Sequence, residues 1–202
     1  MSSLVELLKS AARRITGPIV QVISKNGITP NMLTWLALII NIAAAVVIVY
    51  NHLLIGGVLV LVSGLFDILD GALARSTNKT TRFGALLDST FDRLSEAVVF
   101  IGLLVLYVGK VDLLTTTLIS LAMVGSFLTS YVRARAEGLG LECQTGLFTR
   151  TERVIILVLG LIFSRFLIVA LSIIVILSFV TVGQRMAHVW KETRKQEDNH
   201  GG

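Results

Sequence analysis

Five acidic residues stand where acids are expensive. Asp67, Asp70, Asp88, Asp92 and Glu96 lie in, or at the ends of, segments that otherwise read as bilayer-spanning. A charged side chain near the bilayer centre costs roughly 3 kcal/mol on insertion scales, so this group requires compensating cations. Asp67 and Asp70 are three apart, and Asp88, Asp92 and Glu96 repeat every four, which puts each set on one face of its helix. Two facing helices can then aim four carboxylates at one point. Such hard oxygen donors suit Mg²⁺, Mn²⁺ or Ca²⁺, and two divalent ions balance four carboxylates; without a Cys/His cluster, zinc is disfavoured. Two other uses of the acids stay open on spacing alone. One is a bundle-stabilising network with Arg75, Arg82 and Arg93; the other is a proton or ion relay in a transporter. Glu96 fits either a supporting position beside the site or an ion pair with Arg93.

The elements that position these acids are apolar helices. The 202-residue chain is 54% hydrophobic with only two prolines, and its mean hydropathy is +0.81, well above what a soluble domain of this size needs. About 20 apolar residues cross the hydrocarbon, and the sequence offers six such segments: 32–50, 53–73, 84–108, 112–132, 146–164 and 166–184. The expected fold is all-α, an integral membrane bundle of six transmembrane helices over residues 32–190. Residues 1–31 precede it as a juxtamembrane segment, and 191–202 follow as a polar tail. In the first segment Leu4, Leu7, Leu8, Ala11, Ala12, Ile15 and Ile19 recur near helical spacing beside Lys9, Arg13 and Arg14, the pattern of an amphipathic helix on an anionic leaflet. Thr29 or Asn31 can cap the first spanning helix.

Charge distribution sets the expected orientation. Sixteen of the eighteen Lys and Arg fall on one side of the six-span arrangement, leaving only Lys110 and Arg165 on the other. By the positive-inside rule the basic side is cytoplasmic, so both termini and the aspartate end face the cytoplasm of a cell membrane. The net charge of +5 follows this membrane pattern and does not call for a nucleic-acid partner. The N-terminus lacks the layout of a cleaved signal peptide. Cys143, the single cysteine, has no companion for a disulfide or a metal. Trp35 and Trp190 stand near span boundaries as interface anchors. Gly and Ala spacings in several spans would suit a homodimer but are equally explained by packing within one bundle.

Around the acids the sequence resembles the CDP-alcohol phosphotransferase family, whose signature is D-x-x-D-G-x-x-A-R, eight residues, then G-x-x-x-D-x-x-x-D. Here the positions are Asp67, Asp70, Gly71, Ala74, Arg75, Gly84, Asp88 and Asp92, with every spacing intact. The resemblance implies a six-helix fold with a cytoplasm-facing site for two metal ions, Mg²⁺ with Mn²⁺ as the alternative. It implies that Asp67 and Asp88 bridge both ions, that Asp70 completes one, and that Asp92 binds the other and acts as general base. The donor would be CDP-diacylglycerol or its diether counterpart CDP-archaeol. Its cytidine-diphosphate contacts map to Gly71, Arg75 and Thr81, with Pro30, Asn31, Met32 and Leu33 nearby. The residues agree physically: Gly71 and Ala74 keep a helix surface small for close approach, and Arg75 can fork a diphosphate.

A second likeness concerns the acceptor. Ser130-Tyr131-Val132-Arg133-Ala134-Arg135-Ala136-Glu137, followed by Gly146 and Glu152-Arg153, is similar to the phosphatidylinositol-phosphate synthase branch of the family. That likeness implies a basic pocket of Arg133, Arg153 and Arg185 for the phosphate of inositol 1-phosphate. The three arginines fall at the cytoplasmic ends of spans four, five and six, a placement the positive-inside rule alone also explains. Phe148-Thr149-Arg150 departs from the small residues expected in that branch. Glycerol 3-phosphate also brings a phosphate to such a pocket; serine does not. A divalent-cation or proton-coupled transporter is the reading from another class, but it leaves all four aspartates towards one leaflet with no acidic path to the far side.

Overall fold

The computed structural model describes residues 28–76, 81–143 and 145–200, with side chains described as far as residue 195. The amphipathic helix expected over residues 2–25 lies outside the described residues. Among those described, all regular structure is helical. The order is α1 (Pro30–Val49), α2 (Leu53–Ser76), α3 (Arg82–Gly109), α4 (Leu113–Gly138), α5 (Arg150–Ile162), a 3₁₀ turn (Ser164–Phe166) and α6 (Leu167–His200).

Helix ends follow from local chemistry. Thr29 caps α1 by accepting from the Met32 amide, and Pro30 stands at the start, where its missing N–H costs nothing. Thr81 accepts from the Gly84 amide and caps α3. Asp112 caps α4, accepting from the Thr115 amide at 3.0 Å and the Thr115 hydroxyl at 2.7 Å. The Thr115 hydroxyl bond, then the Thr115 amide, hold the Asp112 carboxyl below its ordinary range. At α5, Thr149 and Glu152 form a capping box, with Glu152 accepting from both the Thr149 amide and hydroxyl.

Short connections at one end force antiparallel neighbours. Asn51, with φ 66°, turns α1 into α2, and Val111, with φ 56°, turns α3 into α4. The Lys110 ammonium donates to Asn51 Oδ1 at 2.7 Å, tying these two turns together. The opposite end therefore gathers the N-termini of α1, α3 and α5 with the C-terminal parts of α2 and α4. The apolar core is built by Ala44 and Ile48 of α1, Phe100 and Leu103 of α3, Ile119 of α4, Leu161 of α5, and Leu171 and Ile174 of α6. Large apolar side chains such as Ile39, Val46, Leu54 and Ile176 point outward and stay exposed. That is the pattern of helices solvated by lipid tails.

Four of the six expected spans are long and apolar enough to cross a membrane: α1, α2, α4 and Ser164–Lys195, which takes in most of α6. The other two differ for identifiable reasons. α3 has 28 residues, but Arg82, Asp88, Asp92, Arg93 and Glu96 crowd its first half. α5 has 13 residues, which at 1.5 Å each is roughly 20 Å against a hydrocarbon of about 30 Å. α6 also runs on past Gln184 and Arg185 to His200, so the polar stretch expected as a tail is helical as far as residue 200.

Close backbone approach decides the packing of α1 on α3. A Cβ added at Gly102 would stand 2.8 Å from the Ala45 carbonyl oxygen and 2.9 Å from the Ala45 Cα, both immovable backbone atoms. Gly183 has open space around it. Gly102→Ala is expected to destabilise the detergent-solubilised protein by about 1–3 kcal/mol, while Gly183→Ala is neutral or stabilises by up to about 1 kcal/mol. Thermal unfolding of the two variants beside the parent measures the difference.

Candidate active site

The acids converge as their spacing requires. Asp67 and Asp70 project from the last turns of α2, and Asp88 and Asp92 from the first turns of α3. Asp70 has Asp67 and Asp88 as charged neighbours, and Asp92 has Asp67 and Asp88. All four carboxylates thus belong to one cluster, at the end where the helix N-termini gather. They are not all held alike. Asp70 is almost fully buried and accepts a 2.9 Å hydrogen bond from the Thr34 hydroxyl of α1. Asp67 and Asp92 are bridged by Arg150, the first residue of α5, whose guanidinium reaches each at 2.7 Å.

An all-oxygen set of four carboxylates from two facing helices fits a hard divalent cation in charge and donor type. In this conformation the guanidinium of Arg150 stands between Asp67 and Asp92, and among the described residues no three metal-ligating side chains are grouped at binding distance. One of the positive charges that the cluster demands is thus supplied here by the protein itself.

Glu96, one turn below Asp92, does not pair with Arg93, one of the two arrangements left open for it. Arg93 instead donates to the Ser89 carbonyl of its own helix. Glu96 faces Arg153 of α5, with Nε at 2.9 Å and NH2 at 3.1 Å, a bidentate pair with both side chains buried. Nor do Arg75 and Arg82 form ion pairs with the acids among the described residues, so the partners differ from those a local network would use. Both are exposed, and the Arg75 guanidinium folds back over Gly71, 3.3 Å from where a Cβ would stand. Asn31 lies close by, its Oδ1 3.5 Å from the same notional position at Gly84. Of the other residues expected at the donor, Asn31 and Met32 are exposed, Leu33 is buried, and Thr81 serves as a helix cap.

Of the three arginines expected at the acceptor, two share a partner. Arg153 donates NH1 to the Thr129 hydroxyl at 3.0 Å, and Arg185 donates NH1 to the Thr129 carbonyl at 2.5 Å and Nε to the Thr145 carbonyl at 2.9 Å. Arg133 is exposed and pairs with Glu137 one turn along α4 at 2.9 Å. Arg133 and Arg153 are both charged neighbours of Arg185. Its members are unequally free, because Arg153 is already committed to Glu96.

Sequence reasoning missed Arg150, Thr34 and Thr129. The signal for Arg150 was present: it begins a helix one turn before Arg153, so both project from α5 towards acids that need cations. A cavity of about 430 Å³ opens beside the cluster between α1, α2, α3 and α5, with Asn41, Ser63, Asp67, Glu96, Arg150 and Val158 among its walls.

With the geometry in place, comparison with known proteins is informative. The pattern of the CDP-alcohol phosphatidyltransferase family matches residues 27–187. A phosphatidylinositol phosphate synthase of Mycobacteroides abscessus is 38% identical over 190 residues, covering 89% of this chain and 86% of the relative. An archaetidylinositol phosphate synthase of Methanothermobacter thermautotrophicus is 36% identical over 197 residues, covering 95% and 97%. The crystal structure of Mycobacterium tuberculosis phosphatidylinositol phosphate synthase with CDP-DAG bound superposes with a TM-score of 0.81 at 36% identity, covering 88% of this chain and 94% of that one. The same enzyme in complex with manganese and citrate gives 0.79 at 35% identity, covering 87% and 88%. With the family pattern running from before the first described helix to just beyond Arg185, this chain belongs to the CDP-alcohol phosphatidyltransferase family.

Proposed function

We propose that the protein transfers the phosphatidyl-type group of a CDP-activated lipid, CDP-diacylglycerol or CDP-archaeol, to inositol 1-phosphate and releases CMP. The observation that carries this reading is the placing of two clusters at one end of the bundle: four carboxylates suited to a diphosphate-bound metal, and three arginines suited to a phosphate. The relatives' activities support the choice of acceptor. Glycerol 3-phosphate is the closest competing acceptor, since it too presents a phosphate to the arginines.

Each residue has a part in this reaction. Asp67, Asp70, Asp88 and Asp92 hold two divalent ions, Mg²⁺ or Mn²⁺, which when bound neutralise the diphosphate as its bond to CMP breaks. Gly71, Arg75, Thr81 and the stretch Pro30 to Leu33 receive the cytidine diphosphate, with Gly71 leaving room and Arg75 supplying a fork to the phosphates. Arg185 and Arg133 grip the acceptor phosphate, and Arg153 is held behind them by Glu96. The acceptor hydroxyl oxygen then forms the new P–O bond, the bond from that phosphorus to CMP breaks, and the hydroxyl proton passes to Asp92. α3 and α5 complete a six-helix membrane domain, their charged ends within the cytoplasmic interface of the cell membrane. A cytoplasmic site suits substrates that are soluble phosphates.

The direct test supplies purified protein with the CDP-lipid, Mg²⁺ and labelled inositol 1-phosphate or glycerol 3-phosphate, and follows lipid-soluble label and CMP. Inositol 1-phosphate is expected to give product and to be preferred; a preference for glycerol 3-phosphate, or no product with either, refutes the assignment. Chelation should abolish turnover and Mg²⁺ or Mn²⁺ restore it. Asp92→Asn is expected to lower turnover by a factor of about 100 or more while CDP-lipid binding, read by isothermal calorimetry, is largely kept. Arg185→Gln is expected to raise the KM for the phosphorylated acceptor about tenfold, the loss of one charge-assisted hydrogen bond, and to leave the KM for the CDP-lipid unchanged.

A further inference from the structure

The Arg150 bridge is chemically odd for a brace. Its side chain is 30% exposed and its two partners 17% and 20%, so all three remain open to the cytoplasmic rim. Its Nε is buried without a hydrogen-bond partner. The Glu96–Arg153 pair one turn away is the opposite: closed, bidentate and buried at 3% and 6% exposure. Arg150 also engages two of the very carboxylates assigned to the metals, from two different helices, by single contacts rather than a matched fork.

We infer that Arg150 is an exchangeable counter-ion for the aspartate cluster, occupying Asp67 and Asp92 until divalent cations displace it. Without some cation, four carboxylates in a largely apolar bundle repel one another and drive α2 and α3 apart. The guanidinium supplies one positive charge, which limits that repulsion and leaves the cluster net negative and still attractive to metal. Divalent ions held by Asp67 and Asp92 would take the place of the guanidinium and supply the positive charge it gives up. The released guanidinium, tethered at the first residue of α5, remains at the rim where anionic substrate groups arrive. This inference rests on the metal reading of the aspartates, not on the identity of the acceptor.

Competition of this kind has a thermodynamic signature. A site blocked for most of the time by its own side chain binds metal with an affinity reduced by the unblocked fraction. Removing the competitor therefore tightens metal binding, although the same change removes a contact from the metal-free fold. Mn²⁺ titration without CDP-lipid, with free Mn²⁺ read by electron paramagnetic resonance, measures this directly. Arg150→Gln is expected to bind Mn²⁺ about tenfold more tightly than the parent protein. In EDTA it should unfold at a lower temperature than the parent, with the gap closing in saturating Mn²⁺. Equal or weaker Mn²⁺ binding, or a gap that persists with Mn²⁺, overturns the inference and identifies Arg150 as a permanent brace. If Arg150→Gln does not fold, Arg150→Lys serves: it keeps the charge but cannot span both carboxylates, so it too should bind more tightly than the parent, and equal or weaker binding again overturns the idea. Failure of the parent itself to bind Mn²⁺ sinks the metal reading together with this inference.

Discussion

Carboxylates in an apolar bundle need a positive or hydrogen-bonding partner, and here side chains of neighbouring helices supply it. Asp70 of α2 is met by Thr34 of α1. Asp67 of α2 and Asp92 of α3 are met by Arg150 of α5. Glu96 of α3 is met by Arg153 of α5, which also reaches Thr129 of α4, and Thr129 in turn accepts from Arg185 of α6. The chain of polar contacts thus touches all six helices. Cancelling charge in a medium of low polarity is the constraint, and the mutual placing of the helices is its consequence. A site that demands compensation from every element also makes each element responsible for its geometry.

The other end of the bundle is organised on a different principle. Short turns at Asn51 and Val111, the Lys110–Asn51 contact and close approaches at glycines bring the helices together without buried charge. Gly102 lies on the backbone of Ala45, Gly160 on Ala170, and Gly56 on Ile48. Apolar packing of this kind is the main source of helix association where lipid tails are as apolar as the side chains. The outcome is a molecule tightly closed at its loop end and open at its charged end.

Much of this was legible because helical periodicity is a local property. The three- and four-residue spacings of Asp67, Asp70, Asp88, Asp92 and Glu96 fixed which acids share a face, and the short connections fixed which helices are antiparallel. What the chain does not write locally is partner choice. Asp67 and Arg150 are 83 residues apart, and Glu96 and Arg153 are 57 apart. On the expected six-span topology sixteen of eighteen basic residues share one side, so each arginine there carries the same topological signal, and nothing in its immediate neighbours separates a bridge from a bystander. Arg93 illustrates the difficulty: it follows Asp92 directly and precedes Glu96 by three, yet it bonds the Ser89 carbonyl. The lengths of α5 and α6 were misread for a related reason, since hydropathy counts apolar residues but does not register a capping box that starts a helix late or a polar helix that continues beyond the membrane.

Two ion clusters made of the same residue types can be told apart by whether they are closed. Glu96 and Arg153 balance one for one, use both carboxylate oxygens, and are nearly excluded from solvent, so little is left for a ligand to satisfy. A buried pair of this sort is costly to break from one side, and its role is to fix α3 against α5 and to hold Arg153 in place near Arg185. The four aspartates do not balance. One guanidinium bridges two of them by single contacts, Asp70 is met by a neutral hydroxyl, and part of the cluster faces the rim. Excess negative charge at an accessible position is a state that binding improves, whereas the neighbouring pair is one that binding can only disturb. The proposed reaction therefore assigns reactivity to the aspartates, and the glutamate one turn further along the same helix to the frame that carries them.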